Sequence, residues 1–138
     1  MNTRLQEVEQ ICKKHQVKAL YLFGSRSAEM FHSLQNDTHE IQPSQSDLDI
    51  GVLLHSPFSV DDKVSLTLEL EELFNVARVD LVILQEADAF LAANVIRGER
   101  IYVEDSYLAD EYDLFVLRRA GDLAALERER MAMILQEG

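Results

Sequence analysis

The sequence is poor in cysteine, the residue that disulfides and thiolate metal centres require. Its 138 residues include one cysteine, Cys12, and four histidines, none of them three or four residues from another. A single cysteine excludes an intrachain disulfide and any thiolate-rich zinc or iron–sulfur site. We expect the histidines on the surface or in loops and the chain in a reducing compartment.

Basic residues are also scarce. Thirteen Lys and Arg stand against 25 Asp and Glu, which gives a formal net charge of −12 and a sequence pI near 4.6. A surface of this sign repels phosphate backbones, so we do not expect tight, sequence-independent binding of nucleic acid. We therefore expect no direct nucleic-acid partner.

Long apolar runs are missing as well. The first residues, 1–4, lead into charged sequence, and no stretch approaches the ~20 apolar residues that cross a bilayer. We expect a soluble, cytoplasmic protein that does not engage a membrane.

What the chain does contain is enough apolar sequence for one compact unit. Hydrophobic residues make up 47% and charged residues 28%, a globular composition. At about 100 to 200 residues per domain, the length predicts a single domain over 1–138. Within it we distinguish a core over 1–105 from a C-terminal helical region over 106–138.

Hydrophobic periodicity and turn residues predict alternating helices and strands. We predict helices over 2–14, 26–34, 60–74, 87–97 and 107–135, strands over 17–23, 47–54, 79–84 and 100–103, and a polar loop over 35–46. Thr3 with Gln6 resembles a capping box, Ser59 is the expected N-cap of the third helix, and Gly121 is expected to interrupt the last helix. The third strand is apolar on both faces except at Asp80, which predicts a central, buried strand.

Three aspartates in predicted strands carry the chemical signal. Asp47 and Asp49 point to the same side of one strand, with Cα atoms ~6.6 Å apart, while Leu48 and Ile50 point to the core. Asp80 lies within the third strand, where a buried carboxylate needs a positive partner. Either an arginine or a divalent cation can meet that need. The candidate arginines are Arg26, Arg78 and Arg97. Because neither strand contains Lys or Arg, we favour shared divalent cations.

Gly24 and Ser25 follow the first strand and supply the second half of a candidate site. Taken alone, Gly-Ser after a strand is more often a simple turn. A glycine there also allows close approach of a ligand, and the N–H groups that open the next helix form an anion site. Beside the aspartates, these residues indicate two divalent ions bridging a nucleoside triphosphate, as phosphoryl or nucleotidyl transfer requires.

Three motifs in order resemble those of a known family: Leu-Phe-Gly-Ser-Arg-Ser over 22–27, Ser-Asp-Leu-Asp-Ile over 46–50 and Val-Asp-Leu-Val over 79–82. They resemble the polymerase-β-like nucleotidyltransferases, specifically the minimal nucleotidyltransferase (MNT) antitoxins that accompany HEPN toxins. The segment 96–102 and the C-terminal helix extend the resemblance over most of the chain. It implies an α/β (α+β) fold, with a short mixed sheet flanked by helices.

The resemblance also implies roles for the site residues. Asp47 and Asp49 would bind magnesium, Asp80 would complete the metal site and help to deprotonate the acceptor, and Gly24 and Ser25 would hold the triphosphate. Two Mg²⁺ ions and ATP as substrate are implied. Members of the family transfer AMP from ATP to a tyrosine of a HEPN ribonuclease and silence it, so the resemblance implies a toxin–antitoxin hetero-oligomer.

This chain departs from the family pattern in two places. Between Ser25 and Asp47 lie 21 residues, more than is usual, and the excess falls in the polar stretch 30–45. Ala-Glu-Met at 28–30 replaces the usual small residue or glycine. A rim loop can lengthen without moving the strands, because the entropy of loop closure grows slowly with length.

Two alternative functions remain open from the sequence. One is a non-catalytic antitoxin that covers a basic ribonuclease groove through a stripe on the last helix. The other is a nucleotidyltransferase that modifies a small molecule. The stripe consists of Leu108, Tyr112, Phe115, Leu123 and Leu126. We expect these five side chains to belong to the protein's own core rather than to an interface.

Overall fold

A computed structural model describes residues 3–35 and 47–137 of the chain. These residues form five helices, four strands and one short 3₁₀ turn. The helices are α1 (Arg4–Lys14), α2 (Ser27–Gln35), α3 (Val60–Phe74), α4 (Ala89–Ile96) and α5 (Ser106–Glu137). The strands are β1 (Val17–Phe23), β2 (Leu48–Leu54), β3 (Val79–Ile83) and β4 (Glu99–Val103), and the 3₁₀ turn spans Leu84–Glu86. The predicted loop beyond Gln35, over 36–46, lies outside the described residues.

The strands form one mixed sheet in the order β3-β2-β1-β4. β1 pairs antiparallel with both β2 and β4, and β2 pairs parallel with β3 after the α3 crossover. This is the α+β fold with a mixed sheet that the motifs implied.

Helices cover both faces of the sheet. Leu20 and Leu22 of β1 face a core that includes buried residues of α1, α2 and α3. Ala19, Tyr21 and Phe23 face a second core on the side of α4 and α5. β1 is therefore buried on both faces, and its ends hold fixed positions relative to the neighbouring strands.

The predicted helix starts are confirmed where side chains cap them. Thr3 accepts a hydrogen bond from the N–H of Gln6, whose side chain accepts one from the N–H of Thr3. Ser59 forms the same reciprocal pair with Asp62 at the start of α3. These capping boxes satisfy N–H groups that have no partner within the helix.

The prediction that the third strand is central is wrong, because β3 lies at an edge of the sheet. Val79, Leu81 and Ile83 pack into the core beneath α3, whereas Asp80 is exposed. The strand is apolar because these three residues pack into one core and Val82 lies partly against the other. That pattern does not reveal how many strands pair with β3. Asp80 thus needs no buried positive partner.

The predicted interruption of the last helix at Gly121 is also wrong, because α5 continues through it. A Cβ at Gly121 would find no heavy atom within 4 Å, so this glycine has no packing role. A single glycine inside a helix lowers helix stability by roughly 1 kcal/mol relative to alanine. The helix-forming residues on either side of Gly121 offset this loss.

The second half of α5 projects from the rest of the fold. Ala109, Val116 and Ala120 are buried, but none of the residues 121–136 is. At 1.5 Å per residue the 32-residue helix is about 48 Å long. The body of the protein therefore covers only the first half of the helix.

Candidate active site

A turn at Gly24 and Ser25 follows β1 and starts the site. Gly24 has a positive φ of 78°, and its carbonyl accepts hydrogen bonds from the N–H and the hydroxyl of Ser27, at 3.3 and 3.0 Å. Both Gly24 and Ser25 are exposed. The exposed turn leaves the side chain of Ser25 open to solvent just before the start of α2, where an anion can bind.

The carboxylate of Asp49 lies directly against this turn. Phe23 is the register partner of Asp49, so the residue after it, Gly24, meets the Asp49 side chain. A Cβ built on Gly24 would be 2.2 Å from Asp49 Oδ2, a distance that no real side chain tolerates. The positive φ is the main reason for glycine here, and a side chain would also force the Asp49 carboxylate to move away from the turn.

Asp80 stands beside Asp49 on the other side. The two residues are register partners in the parallel pair β2–β3, where adjacent strands lie ~4.8 Å apart and opposite residues share a face. The C-terminal end of β1 and the N-terminal ends of β2 and β3 lie side by side at one end of the sheet, across the strands. The structure thus brings the turn and the strand aspartates together, as the sequence predicted.

Like charges concentrate at this end of the sheet. Partial burial raises the pKa of the Asp49 carboxyl above its ordinary value, and the nearby carboxylates of Asp80 and Asp47 raise it further. Both causes disfavour the ionised carboxylate. A cation at this end of the sheet would relieve the repulsion.

Asp47 takes a different environment from the other two carboxylates. It was predicted to be the first residue of the strand but lies immediately before β2, which begins one residue later, and its Oδ2 lies 3.6 Å from Nε of Arg78. The backbone holds both residues, because the N–H of Leu48 donates to the carbonyl of Arg78 at 3.1 Å. Of the three candidate arginines, Arg78 is thus the one that pairs with a site aspartate. Arg26 is buried instead and forms an ion pair with Glu29 at 3.5 Å.

The donor chemistry of the site suits a divalent cation. Carboxylate oxygens are the ligands that Mg²⁺ prefers, and Asp49 and Asp80 present theirs side by side. Across residues 3–35 and 47–137, however, no three His, Cys, Asp or Glu side chains are gathered closely enough to hold one ion. The residues therefore fit magnesium by type, but this structure does not gather them into a three-ligand site, and Asp47 pairs with Arg78.

Gly98 lies beside the site between α4 and β4 and was not among the predicted site residues. A Cβ there would be 2.1 Å from the carbonyl oxygen of Leu22 and 3.0 Å from Cα of Phe23. The missing side chain lets the start of β4 approach the end of β1 beside the site. A glycine directly before a predicted strand is the sequence signal for such a close approach.

The expectation that the α5 stripe belongs to the core is wrong for most of its residues. Leu108, Phe115 and Leu126 are each about 60% exposed, and Leu123 is on the surface too. Tyr112 alone packs against the second core. The helix leaves the body before Leu123 and Leu126, so no described residue outside α5 buries them.

Comparison with known proteins identifies the family. The model of the polymerase-β nucleotidyltransferase family matches residues 6–107, so the chain belongs to this family. None of the curated proteins matches the sequence. No helix in the described part of the chain has the length and apolar character needed to span a membrane.

Solved structures share the fold. A chain of a toxin–antitoxin complex with AMP-PNP is 23% identical with a TM-score of 0.61, and the alignment covers 96% of both chains. A chain of a tri-AMPylated Shewanella oneidensis HEPN toxin in complex with MNT antitoxin is 20% identical with a TM-score of 0.60, covering 96% of this chain and 94% of that one. A structure provisionally named a minimal nucleotidyltransferase is 29% identical with a TM-score of 0.52, covering 72% and 89%.

Proposed function

We propose that the protein is an antitoxin that transfers AMP from ATP to a tyrosine of a HEPN ribonuclease toxin and thereby silences it. The observation that carries the proposal is the packing of the Gly24 turn on the Asp49 carboxylate, with Asp80 alongside. This arrangement puts an anion-binding turn directly over clustered carboxylates, as nucleotidyl transfer requires. Membership of the nucleotidyltransferase family supports the reaction class. The similar complexes, one with AMP-PNP and one with an AMPylated toxin, support the nucleotide and the partner.

Each site residue has a role in this proposal. The N–H groups after Gly24 and the hydroxyl of Ser25 hold the triphosphate. Asp47, Asp49 and Asp80 would hold two Mg²⁺ ions, which supply charge neutralisation at the phosphates. The tyrosine oxygen forms a bond to the α-phosphorus as the bond to pyrophosphate breaks, and the phenolic proton passes to Asp80. Exposure of Asp80 leaves it accessible to an acceptor on another protein.

Replacing Asp49 by asparagine tests the proposal. The protein is incubated with ATP, Mg²⁺ and a candidate HEPN partner, and the intact mass of both chains is measured. We expect the partner to gain one or more AMP units with the wild type and none with Asp49→Asn, because the amide cannot replace the carboxylate as a metal ligand. The matched control is Asp61→Asn, at an exposed position in the first turn of α3, which should transfer normally.

Folding of the Asp49→Asn variant is checked by thermal unfolding. Because the folded state disfavours the ionised Asp49 carboxylate, its removal should not lower the melting temperature. Transfer at the wild-type rate by a folded Asp49→Asn protein would contradict the metal role of this residue.

A second candidate function is neutralisation by binding alone. The exposed stripe on α5 favours it, since Leu108, Phe115 and Leu126 are uncovered on a chain whose net charge of −12 suits a basic partner. The same Asp49→Asn protein distinguishes the two functions. Full inhibition of the partner ribonuclease by this variant, without any mass gain, would establish occlusion in place of transfer.

A further inference from the structure

We propose that Arg78 is a built-in counter-ion that holds Asp47 and competes for it with the divalent cation. The inference rests on the proposed function, because it assigns a positioning role to a residue next to the proposed metal ligands. Arg78 would lower the affinity of the site for the cation, an effect that the three aspartates alone do not produce.

The first support is the geometry of the pair. Arg78 Nε lies 3.6 Å from Asp47 Oδ2, and the backbone hydrogen bond from Leu48 to the Arg78 carbonyl keeps the two chain segments in register. β2 and β3 are parallel from Leu48 and Val79 onward, so the residue before each strand start falls at the same end of the sheet. Arg78 is therefore placed beside Asp47 by the sheet itself.

The second support is the arrangement of the carboxylates. Asp49 and Asp80 are register partners, yet the described residues contain no set of three acidic side chains gathered around one point. Of the three site aspartates, Asp47 is the one that pairs with an arginine, Arg78. A cation that uses all three aspartates must therefore draw Asp47 away from Arg78.

The third support is the weakness of the pair. The Arg78 side chain is 73% exposed and that of Asp47 is 43% exposed, and ion pairs in water at this exposure contribute little to stability. Such a contact fits a counter-ion that a divalent cation displaces easily. It does not fit a structural clamp.

Binding of Mn²⁺ in the absence of nucleotide tests the proposal. Free Mn²⁺ is measured by electron paramagnetic resonance during titration of the wild type, Arg78→Ala and Arg78→Lys. Removing a positive charge a few ångströms from a ligand should tighten binding about three- to tenfold in Arg78→Ala. Arg78→Lys keeps the charge and should remain close to the wild type. Arg128→Ala, an exposed change on the projecting half of α5, controls for net charge and should have no effect.

The outcomes separate this inference from the proposed function. Equal or weaker Mn²⁺ binding by Arg78→Ala would overturn the counter-ion role, and AMP transfer that still depends on Asp49 would then leave the proposed function standing. If the wild type bound no Mn²⁺ and transferred no AMP, both would fall. A loss of melting temperature in Arg78→Ala of more than a few degrees would show a structural pair and would also overturn the inference.

Discussion

Gly24 lies against a site carboxylate, whereas Gly121 has open space around it. Replacing each by alanine therefore distinguishes an effect on the site from an effect on helix stability. At Gly24, a Cβ would collide with Asp49 Oδ2 and the residue would keep an unfavourable positive φ. We expect Gly24→Ala to lose most AMP transfer and about 1 to 2 kcal/mol of unfolding free energy. Transfer assays and urea denaturation measure the two effects.

Gly121→Ala is the matched control, because its Cβ meets no atom within 4 Å. It should gain roughly 1 kcal/mol from helix propensity and leave transfer unchanged. Normal AMP transfer by Gly24→Ala would contradict the proposal that the turn at Gly24 and Ser25 holds the triphosphate.

Glu69 on α3 gives the fold a dependence on pH. Its carboxylate accepts hydrogen bonds from Lys14, at 2.5 Å, and from His15, and these contacts lower its pKa below the ordinary value. The unfolded chain thus binds this proton more readily, and the stabilisation is lost as the pH falls through the lowered pKa. We expect Glu69→Gln to melt at a lower temperature than the wild type at pH 7.

The difference in melting temperature should shrink as the pH is lowered below the ordinary range of a carboxyl group. Melting curves between pH 3 and 7 measure it, with the exposed Glu72→Gln as control. A gap that stayed constant over the whole range would rule out ionisation of Glu69 as its cause.

At the scale of helices and strands, a partly buried polar network ties α5 to the sheet. The hydroxyl of Tyr21 in β1 donates to Asp113 at 2.5 Å, and Arg100 in β4 bridges Asp113 and Asp110 at 3.0 and 2.8 Å. Burial and the hydrogen bond to Asp113 raise the pKa of Tyr21, so the hydroxyl stays protonated and donates. The network fixes the first half of the helix on β1 and β4.

Tyr21→Phe removes one bond of that network and keeps the ring. Hydrogen bonds to charged groups contribute more than neutral ones, so we expect a loss of about 2 kcal/mol of unfolding free energy in urea. Tyr107→Phe, at a side chain that is 68% exposed, should change nothing measurable. Equal stability of the two variants would show that this bond does not anchor α5.

The elements that local sequence determines were predicted closely. β1 was predicted over its full extent, and α3 begins and ends where Ser59 and Phe74 indicated, because caps and periodicity are local signals. The edge position of β3 was missed because pairing depends on distant strands. α5 was wrongly divided because the cost of Gly121 was judged without the long helix around it.

At the scale of the whole molecule, the site forms where three strands meet at one end of the sheet. The sequence predicted that Gly24, Ser25 and the aspartates would lie together, and the register of β1, β2 and β3 brings them there. It did not distinguish Arg78 from the other arginines as the partner of Asp47. That choice depends on the α3 crossover, which returns the chain beside the start of β2.

The projecting half of α5 leads to a prediction for the entire chain. Since no residue over 121–136 is buried, ending the chain after Ala120 should lower the melting temperature by no more than about 4 °C. The exposed apolar side chains beyond Ala120, among them Leu126 and Leu135, would be lost, so we expect weaker binding to the proposed HEPN partner. Calorimetry of the truncated protein with the partner measures this, and undiminished affinity would place the interface elsewhere.

The side-by-side placement of Asp49 and Asp80 also links folding to the supply of ions. The register pair exists only in the folded chain, so a cation held there binds the native state and not the unfolded one. By mass action, a free cation at a hundred times its dissociation constant would add about 2.7 kcal/mol to the stability of the protein. The lifetime of the protein against proteolysis would then follow the magnesium and nucleotide content of the cell.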